Sequence, residues 1–162
     1  MKRVTEPQVE PVTVAEVKEQ LRIDGDEEDT LLETMITTAR QLAEEETGRA
    51  FITQTWEATF WEGSNRIRLP RPEIQRVESV INRDGEGLDY RLKGRILILG
   101  YPAREVTVRW VAGYGTTRDS VPHTIRQAIL EMVGHFYENR EGQGELPDGV
   151  RQLLSLEAAP YL

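Results

Sequence analysis

The sequence predicts an α+β fold in which an antiparallel β segment is inserted into a helical body. Apolar residues recur at helical spacing between residues 13 and 48 and again between 121 and 155, as they do on the buried face of amphipathic helices. Between residues 50 and 115 the pattern changes to short alternating runs separated by turn residues, which is typical of antiparallel strands. Each helical stretch has an apolar stripe to bury, so the simplest solution packs the two together and leaves the β segment as an insert.

The chain has 162 residues, enough for one domain or for one compact domain with an insert. We expect an N-terminal arm at 1–12, a single domain at 13–155 and a C-terminal tail at 156–162. Within the domain, the helices occupy 13–48 and 121–155, and the β insert occupies 50–115. This division rests on the change of periodicity and on the Pro- and Glu-rich composition of the first residues.

Two helices are predicted before the β segment. Thr13 and Glu16 have the spacing of a capping box, in which the hydroxyl and the carboxylate each accept a backbone N–H. The second helix is predicted to begin after Asp26 as its N-cap, with acidic residues in its first turn. Gly48 is expected to end it, because glycine readily takes the left-handed conformation at a helix C-terminus.

Six short strands are predicted in the insert, and prolines and glycines separate them. The run at 74–81 alternates imperfectly, as a bulged strand does. The run at 96–99 is apolar on both faces, so we expect it to be a central strand. The predicted strands lie at 52–60, 66–69, 74–81, 88–92, 96–99 and 106–110.

A long helix and a short one are predicted after the insert. Pro122 suits a first helical position, and apolar residues follow it at helical spacing from Ile125 to Tyr137. Pro147 opens the last, shorter helix, in which Val150 and Leu154 are apolar.

Composition excludes several classes of protein. The chain carries 28 acidic and 20 basic residues, a formal charge of −8, which disfavours binding of nucleic acid through phosphate contacts. It has no cysteine, which excludes disulfides and cysteine-ligated zinc. We expect no membrane partner, because no apolar run approaches the ~18 residues that span a bilayer.

No pattern in the sequence points to catalysis. His123 and His135 are twelve positions apart, which is not the one-turn spacing of a helical metal pair. No serine stands in a nucleophile elbow, and no phosphate-binding loop is present. The acidic residues from Asp24 onward resemble a calcium loop, but Met35 occupies the position of the required glutamate. The sequence predicts neither an enzyme nor a cofactor.

All three tryptophans lie in the β insert. Trp56 and Trp110 fall on apolar faces and are expected in the core. Trp61 and Tyr114 stand beside turns and are candidates for exposed interface anchors, a role for which large aromatic side chains are suited. Two other functions stay open at this point: a small-ligand or carbohydrate-binding module that uses the aromatic β segment, and a hydrolase with a carboxylate pair.

Four stretches, in order and at their spacing, resemble the head-tail connector proteins of tailed phages and of phage-derived gene transfer agents, also called adaptor or head-completion proteins. The resemblance runs from about residue 10 to about residue 155. The stretches are EPVTVAE with the following LRID and DEED, TGRAFITQTW, IRLPRP, and VRWVAGYG followed by VP, IRQAIL and GHFYENRE.

The resemblance implies a structural role and no catalytic residues. Members of this family form a ring, typically of twelve subunits, beneath the portal at the capsid vertex. Helices form the ring body. The ring continues the DNA channel, through which DNA passes without specific binding, and offers a docking surface to the next neck protein, a stopper or tail terminator. The expected location is the virion neck, after synthesis in the cytoplasm of the host bacterium.

The resemblance also directs attention to candidate contact residues. A C-terminal segment of these proteins commonly reaches the portal, which makes Pro160, Tyr161 and Leu162 candidate portal anchors. Contacts that close a ring are heterologous and join two different surfaces. The predicted ring-interface set pairs acidic with basic residues and adds the two aromatic candidates. It comprises Glu44, Glu45, Glu46, Arg66, Arg68, Arg71, Trp61 and Tyr114. We further expect an acidic channel lining, because carboxylates repel DNA phosphates.

Overall fold

The computed structural model describes residues 1–140 and 146–159. The chain divides into two compact units. The sheet unit comprises residues 1–8 and 49–116, and the helical unit comprises residues 9–48 and 117–162. The predicted α+β class is confirmed, with helices before and after an antiparallel β segment.

The helical unit contains four α-helices, and a 3₁₀ turn at Arg118–Ser120 precedes the third. The helices are α1 (Val14–Leu21), α2 (Asp29–Thr47), α3 (His123–Glu138) and α4 (Asp148–Glu157). Helix α3 packs against each of the other three. The predicted pairing of the two apolar stripes is therefore confirmed. Its buried members include Leu32, Ile36, Ala39, Ala43, Ile125, Ile129, Met132, Val150 and Leu154.

The ends of the first two helices follow local chemistry. The capping box is present: the Glu16 amide donates to the Thr13 hydroxyl over 3.1 Å, and the Thr13 amide donates to the Glu16 carboxylate over 2.7 Å. Gly48 ends α2 in the left-handed conformation, with φ of +66°. These two predictions are confirmed, because both depend only on residues within one helical turn.

The predicted start of α2 is wrong. Glu28, and not Asp26, occupies the N-cap position, and its side chain makes no capping hydrogen bond. Asp26 instead accepts a hydrogen bond from the Lys18 ammonium over 2.8 Å. Local capping rules assign the Asp26 carboxylate to the start of α2, but it binds Lys18 of the preceding helix instead. The helix-opening prolines, Pro122 and Pro147, stand at N-cap positions, one residue before the predicted place.

The sheet unit contains seven strands in two antiparallel sheets. The four-stranded sheet has the order β1-β2-β7-β4, and the three-stranded sheet has the order β3-β6-β5. The strands are β1 (Lys2–Thr5), β2 (Gln54–Phe60), β3 (Arg66–Arg68), β4 (Ile74–Ile81), β5 (Tyr90–Lys93), β6 (Ile96–Leu99) and β7 (Val106–Ala112). Strand β4 has the predicted bounds and two irregularities of register against β7, and β6 is central in its sheet as predicted.

The first residues of the chain pair with the sheet. Strand β1 runs antiparallel to β2, with Lys2 opposite Glu57 and Arg3 opposite Trp56. These residues were expected to be an unpatterned arm. Arg3 also places its guanidinium over the Trp56 ring, 5.0 Å from the centroid, so a contact distant in sequence orders a segment that lacks an apolar period of its own.

The two sheets share one hydrophobic cluster. Trp56 and Trp110 lie opposite each other on β2 and β7, and both are buried, as predicted. The three-stranded sheet contributes Ile67 and Leu97 to the same cluster. At the end of β7, Gly113 has φ of +136°, and a Cβ there would lie 2.7 Å from the backbone of Ile52.

The division into an arm, a single domain at 13–155 and a tail stays a prediction. At its C-terminal boundary, α4 extends to Glu157, so the first residues of the predicted tail are helical. In the part of the chain that the structure describes, no helix combines the length and the apolarity needed to cross a membrane.

Candidate assembly surfaces

Charge is distributed unevenly between the two units. The sequence of the sheet unit contains 13 basic and 9 acidic residues, whereas that of the helical unit contains 7 basic and 19 acidic residues. The net charge of −8 therefore conceals a positive unit and a strongly negative one. Surfaces of opposite sign on one chain can attract each other between copies.

The basic side chains of the sheet unit converge on the outer face of the three-stranded sheet. Arg66 and Arg91 both pair with Ile98 on the central strand, and Arg68 and Lys93 both pair with Ile96. Residues directly opposite each other in a sheet share a face, so four cations surround two isoleucines. We call this surface the basic face; it comprises Arg66, Arg68, Arg91, Lys93, Ile96 and Ile98.

The basic face is open to solvent. All four cationic residues are exposed, and the two isoleucines are half-buried. The alternate residues on β3 and β6, Ile67 and Leu97, point into the core. No carboxylate of the described residues forms an ion pair with any of the four cations.

Of the acidic triplet at the end of α2, one member is not a surface residue. Glu44 is completely buried and accepts a hydrogen bond from Arg40 over 2.9 Å. Arg40 also donates to Glu10 over 2.7 Å. Burial works against the charged form of Arg40, but the two carboxylates raise the pKa of its guanidinium. Glu44 therefore holds the helical unit together and is withdrawn from the predicted ring-interface set.

Glu45 and Glu46 are exposed beside Leu42, whose exposed fraction of 41% is high for a leucine. Residues three and four positions apart are neighbours on a helix surface, so the three side chains form one surface. We call it the acidic α2 patch; it comprises Leu42, Glu45 and Glu46.

Arg71 is the second correction to the predicted interface. Its exposed fraction is 4%, and its guanidinium lies over the Trp56 ring, 4.9 Å from the centroid. It also donates a hydrogen bond to the backbone carbonyl of Arg49 over 3.2 Å. A buried arginine that binds a core tryptophan is unavailable to a neighbouring subunit. Arg66 and Arg68, by contrast, are exposed as the prediction requires.

The two aromatic candidates differ in exposure. Trp61 is 65% exposed, which agrees with its prediction as an open side chain. Tyr114 is half-buried, and the Arg49 guanidinium lies 5.8 Å from its ring centroid. The candidate portal anchors Pro160, Tyr161 and Leu162 lie outside the described residues.

Sequence reasoning missed Arg91 and Lys93. The signal was present in the hairpin Lys93-Gly94-Arg95-Ile96, because a two-residue loop with a glycine at positive φ aligns β5 with β6. That register places alternate residues of β5 on the face of Ile96 and Ile98. The remaining step, the pairing of β3 with β6, joins residues about thirty positions apart in sequence and depends on the tertiary fold.

Metal ligands and the concavity of the sheet unit bear on the alternative functions that the sequence left open. Among the residues that the structure describes, no cluster of histidine and carboxylate side chains could hold a metal ion. The sheet unit has a concavity of about 430 Å³ that is lined by residues such as Thr53, Thr55 and Arg109. The described residues that line it include no aromatic side chain, so it offers no stacking platform for a sugar.

An ion-pair cluster joins α3 to the start of α2. The Tyr137 hydroxyl and the Arg140 guanidinium both donate hydrogen bonds to the Glu28 carboxylate, Arg140 over 2.6 Å. The bond from Tyr137, followed by that from Arg140, lowers the pKa of Glu28. The same bond raises the pKa of Tyr137. These groups are already paired and serve the packing of the helical unit.

Solved structures of similar fold come from gene transfer agent particles. The chain matches a chain of "Neck of empty GTA particle computed with C6 symmetry" at a TM-score of 0.81 and 20% identity, covering 100% of this chain and 97% of that chain. A chain of "Virion of native gene transfer agent (GTA) particle" matches at 0.79 and 22%, covering 99% and 96%. A chain of "Neck of native GTA particle computed with C12 symmetry" matches at 0.76 and 21%, covering 100% and 97%.

A family model matches part of the sequence. No curated protein sequence is significantly similar to the chain. The model of the phage gp6-like head-tail connector proteins matches residues 11–88. The matched region extends from before α1 through β4, and so includes parts of both units. This match supports the predicted resemblance to the head-tail connector proteins of phages.

Proposed function

We propose that the chain is the structural subunit of an adaptor ring in the neck of a tailed phage or gene transfer agent. The ring docks under the portal, extends the DNA channel and joins head to tail. The role is mechanical: subunits bind one another and their neighbours in the neck, and no reaction is catalysed.

One observation carries this proposal: the fold matches neck-particle chains over essentially the whole length of both partners. Each unit of the chain thus has a counterpart there. The family model adds the head-tail connector assignment independently of the fold comparison. A connector subunit needs complementary surfaces rather than a nucleophile or a metal, and exposed charged surfaces are what the two units offer.

The proposed partners are other copies of the chain, the portal protein and the next neck protein. The ring is proposed to be a dodecamer, like the family members that the sequence resembles. DNA passes through without specific binding. We propose that acidic residues dominate the lumen, since the helical unit has 19 acidic and 7 basic residues and carboxylates do not retain phosphates. Assembly takes place in the host cytoplasm, and the finished ring lies in the virion neck.

The experiment is reconstitution with the cognate portal. The purified protein is mixed with purified portal, and the complexes are viewed by negative-stain electron microscopy. We expect an added ring coaxial with the portal, whose symmetry gives the subunit number. Portals that stay bare at high protein concentration contradict the adaptor role, with a portal-binding protein of known activity as the positive control.

The last residues are proposed to anchor the ring on the portal. The last described residue, Ala159, donates its amide to the Thr47 carbonyl over 2.8 Å and therefore lies beside the end of α2. Deletion of residues 160–162 should weaken portal binding and leave the thermal melt unchanged. The matched control is the pair Tyr161→Phe and Leu162→Ile, which keeps the apolar surface. Full portal binding by the deleted chain would refute this anchor.

A further inference from the structure

The basic face is suited to an anionic partner. Four exposed cations crowd around Ile96 and Ile98 without a carboxylate from the described residues. Like charges at this spacing repel one another, and an approaching anionic surface relieves the repulsion. The two half-buried isoleucines offer an apolar centre to such a surface.

The acidic α2 patch has the complementary composition. Leu42 is 41% exposed, and Glu45 and Glu46 stand beside it on the same helix surface. An apolar centre bordered by anions matches an apolar centre bordered by cations. Interfaces of this kind bury the apolar groups and set the register through the charges.

Duplex DNA fits the basic face less well than a protein does. The isoleucines at the centre of the face have no counterpart on a phosphate backbone. A second copy of the chain supplies both the anions and the apolar side chain.

We infer that the basic face of one copy docks on the acidic α2 patch of the next copy. The two surfaces differ, so the contact is heterologous, and every copy uses both of them at once. Repeated head to tail, such a contact closes into a ring when its rotation permits. The inference rests on the proposed ring and identifies the surfaces that join its subunits.

Charge reversal tests the inference by complementation. The first variant carries Arg66→Glu, Arg68→Glu, Arg91→Glu and Lys93→Glu, which makes its basic face anionic. The second carries Glu45→Arg and Glu46→Arg, which makes its α2 patch cationic. Each variant alone should lose rings in the portal mixture, with association weakened at least about tenfold. Their equimolar mixture should regain rings. When the two variants alternate, each reversed face meets a reversed patch, and each native face meets a native patch.

The matched control reverses four exposed cations elsewhere on the sheet unit, Lys2→Glu, Arg76→Glu, Arg83→Glu and Arg104→Glu. It changes the net charge by the same amount as the first variant and should form rings like the unmodified protein. Rings from either single variant at the unmodified level, or a mixture that stays ring-free, overturn the inference. Recovery in the mixture also shows that each variant is folded.

A cross-link gives a second measurement that does not depend on lost assembly. The chain has no cysteine, so Lys93→Cys and Glu46→Cys can be introduced together without background. Under conditions that show rings, a short bismaleimide should produce a ladder of dimers, trimers and larger species, whereas either cysteine alone should not. Rings without a ladder overturn the inference and leave the adaptor role intact.

The outcomes separate the inference from the proposed function. No ring of the unmodified protein on the portal contradicts the adaptor role, and with it the inference. If the first variant forms normal rings but loses retention of duplex DNA at low salt, the basic face binds phosphate, and the proposed subunit contact is refuted.

Discussion

Replacement of Arg40 by methionine should strongly destabilise the helical unit. The Arg40 side chain is 2% exposed, and that of its partner Glu44 is 0% exposed. Methionine keeps much of the volume but removes the cation, so a buried carboxylate loses its charged partner. Removal of one member of a buried pair costs about 3–5 kcal/mol. Glu10 contributes less to this figure, because its carboxylate is 28% exposed and water screens it.

The double replacement Arg40→Met with Glu44→Leu should recover most of the lost free energy of unfolding. An apolar pair of similar volume avoids the desolvation of both charges, and such exchanges are often neutral or stabilising. The exposed neighbour Gln41 provides the control, since Gln41→Met places the same side chain on the same helix without disturbing the pair.

Urea denaturation followed by circular dichroism at 222 nm measures the helical unit. Tryptophan fluorescence follows the sheet unit separately, because Trp56, Trp61 and Trp110 all belong to it. We expect the midpoint by circular dichroism to fall in Arg40→Met. A loss of unfolding free energy below about 1 kcal/mol, or a double variant less stable than the single one, would show that Arg40 does not stabilise the buried Glu44 carboxylate as described.

Three other changes have defined outcomes. Tyr137→Phe should destabilise the protein more at pH 7 than at pH about 3. The hydrogen bond from Tyr137 lowers the pKa of Glu28, so the bond stabilises the fold above the pKa of Glu28 in the unfolded chain, and this stabilisation is lost as the pH falls through the pKa in the folded protein. Equal losses of stability at both pH values contradict this. Gly113→Ala should lower the free energy of unfolding by about 2 kcal/mol or more, measured by urea denaturation followed by fluorescence, because the new Cβ would lie 2.7 Å from backbone atoms. The control Gly85→Ala should cost less, because a Cβ there has no atom within 4 Å. Thr13→Ala should cost about 1 kcal/mol by circular dichroism, and no change would mean that the capping box is formed without stabilising α1.

The helical unit shows where local information is sufficient. The capping box at Thr13 and the end of α2 at Gly48 depend on residues within one or two turns, so both predictions are confirmed. The predicted start of α2 is wrong, because Lys18 on the preceding helix takes the Asp26 carboxylate. The acidic triplet was predicted as a surface, but the 3.6-residue period turns Glu44 inward toward Arg40 and leaves Glu45 and Glu46 outside.

The sequence by itself determined the α+β class, most strand positions, the exposure of Trp61 and the resemblance to head-tail connectors. All of these rest on period, turn chemistry or the order of short motifs, which are properties of neighbouring residues. Tertiary structure decided that Arg71 is buried on Trp56 and that Arg91 and Lys93 join Arg66 and Arg68 on one face. The reason is physical: the pairing of β3 and β5 with β6 and the burial of a charge depend on contacts between distant segments, and the alternation within any one strand does not specify which strand will lie beside it.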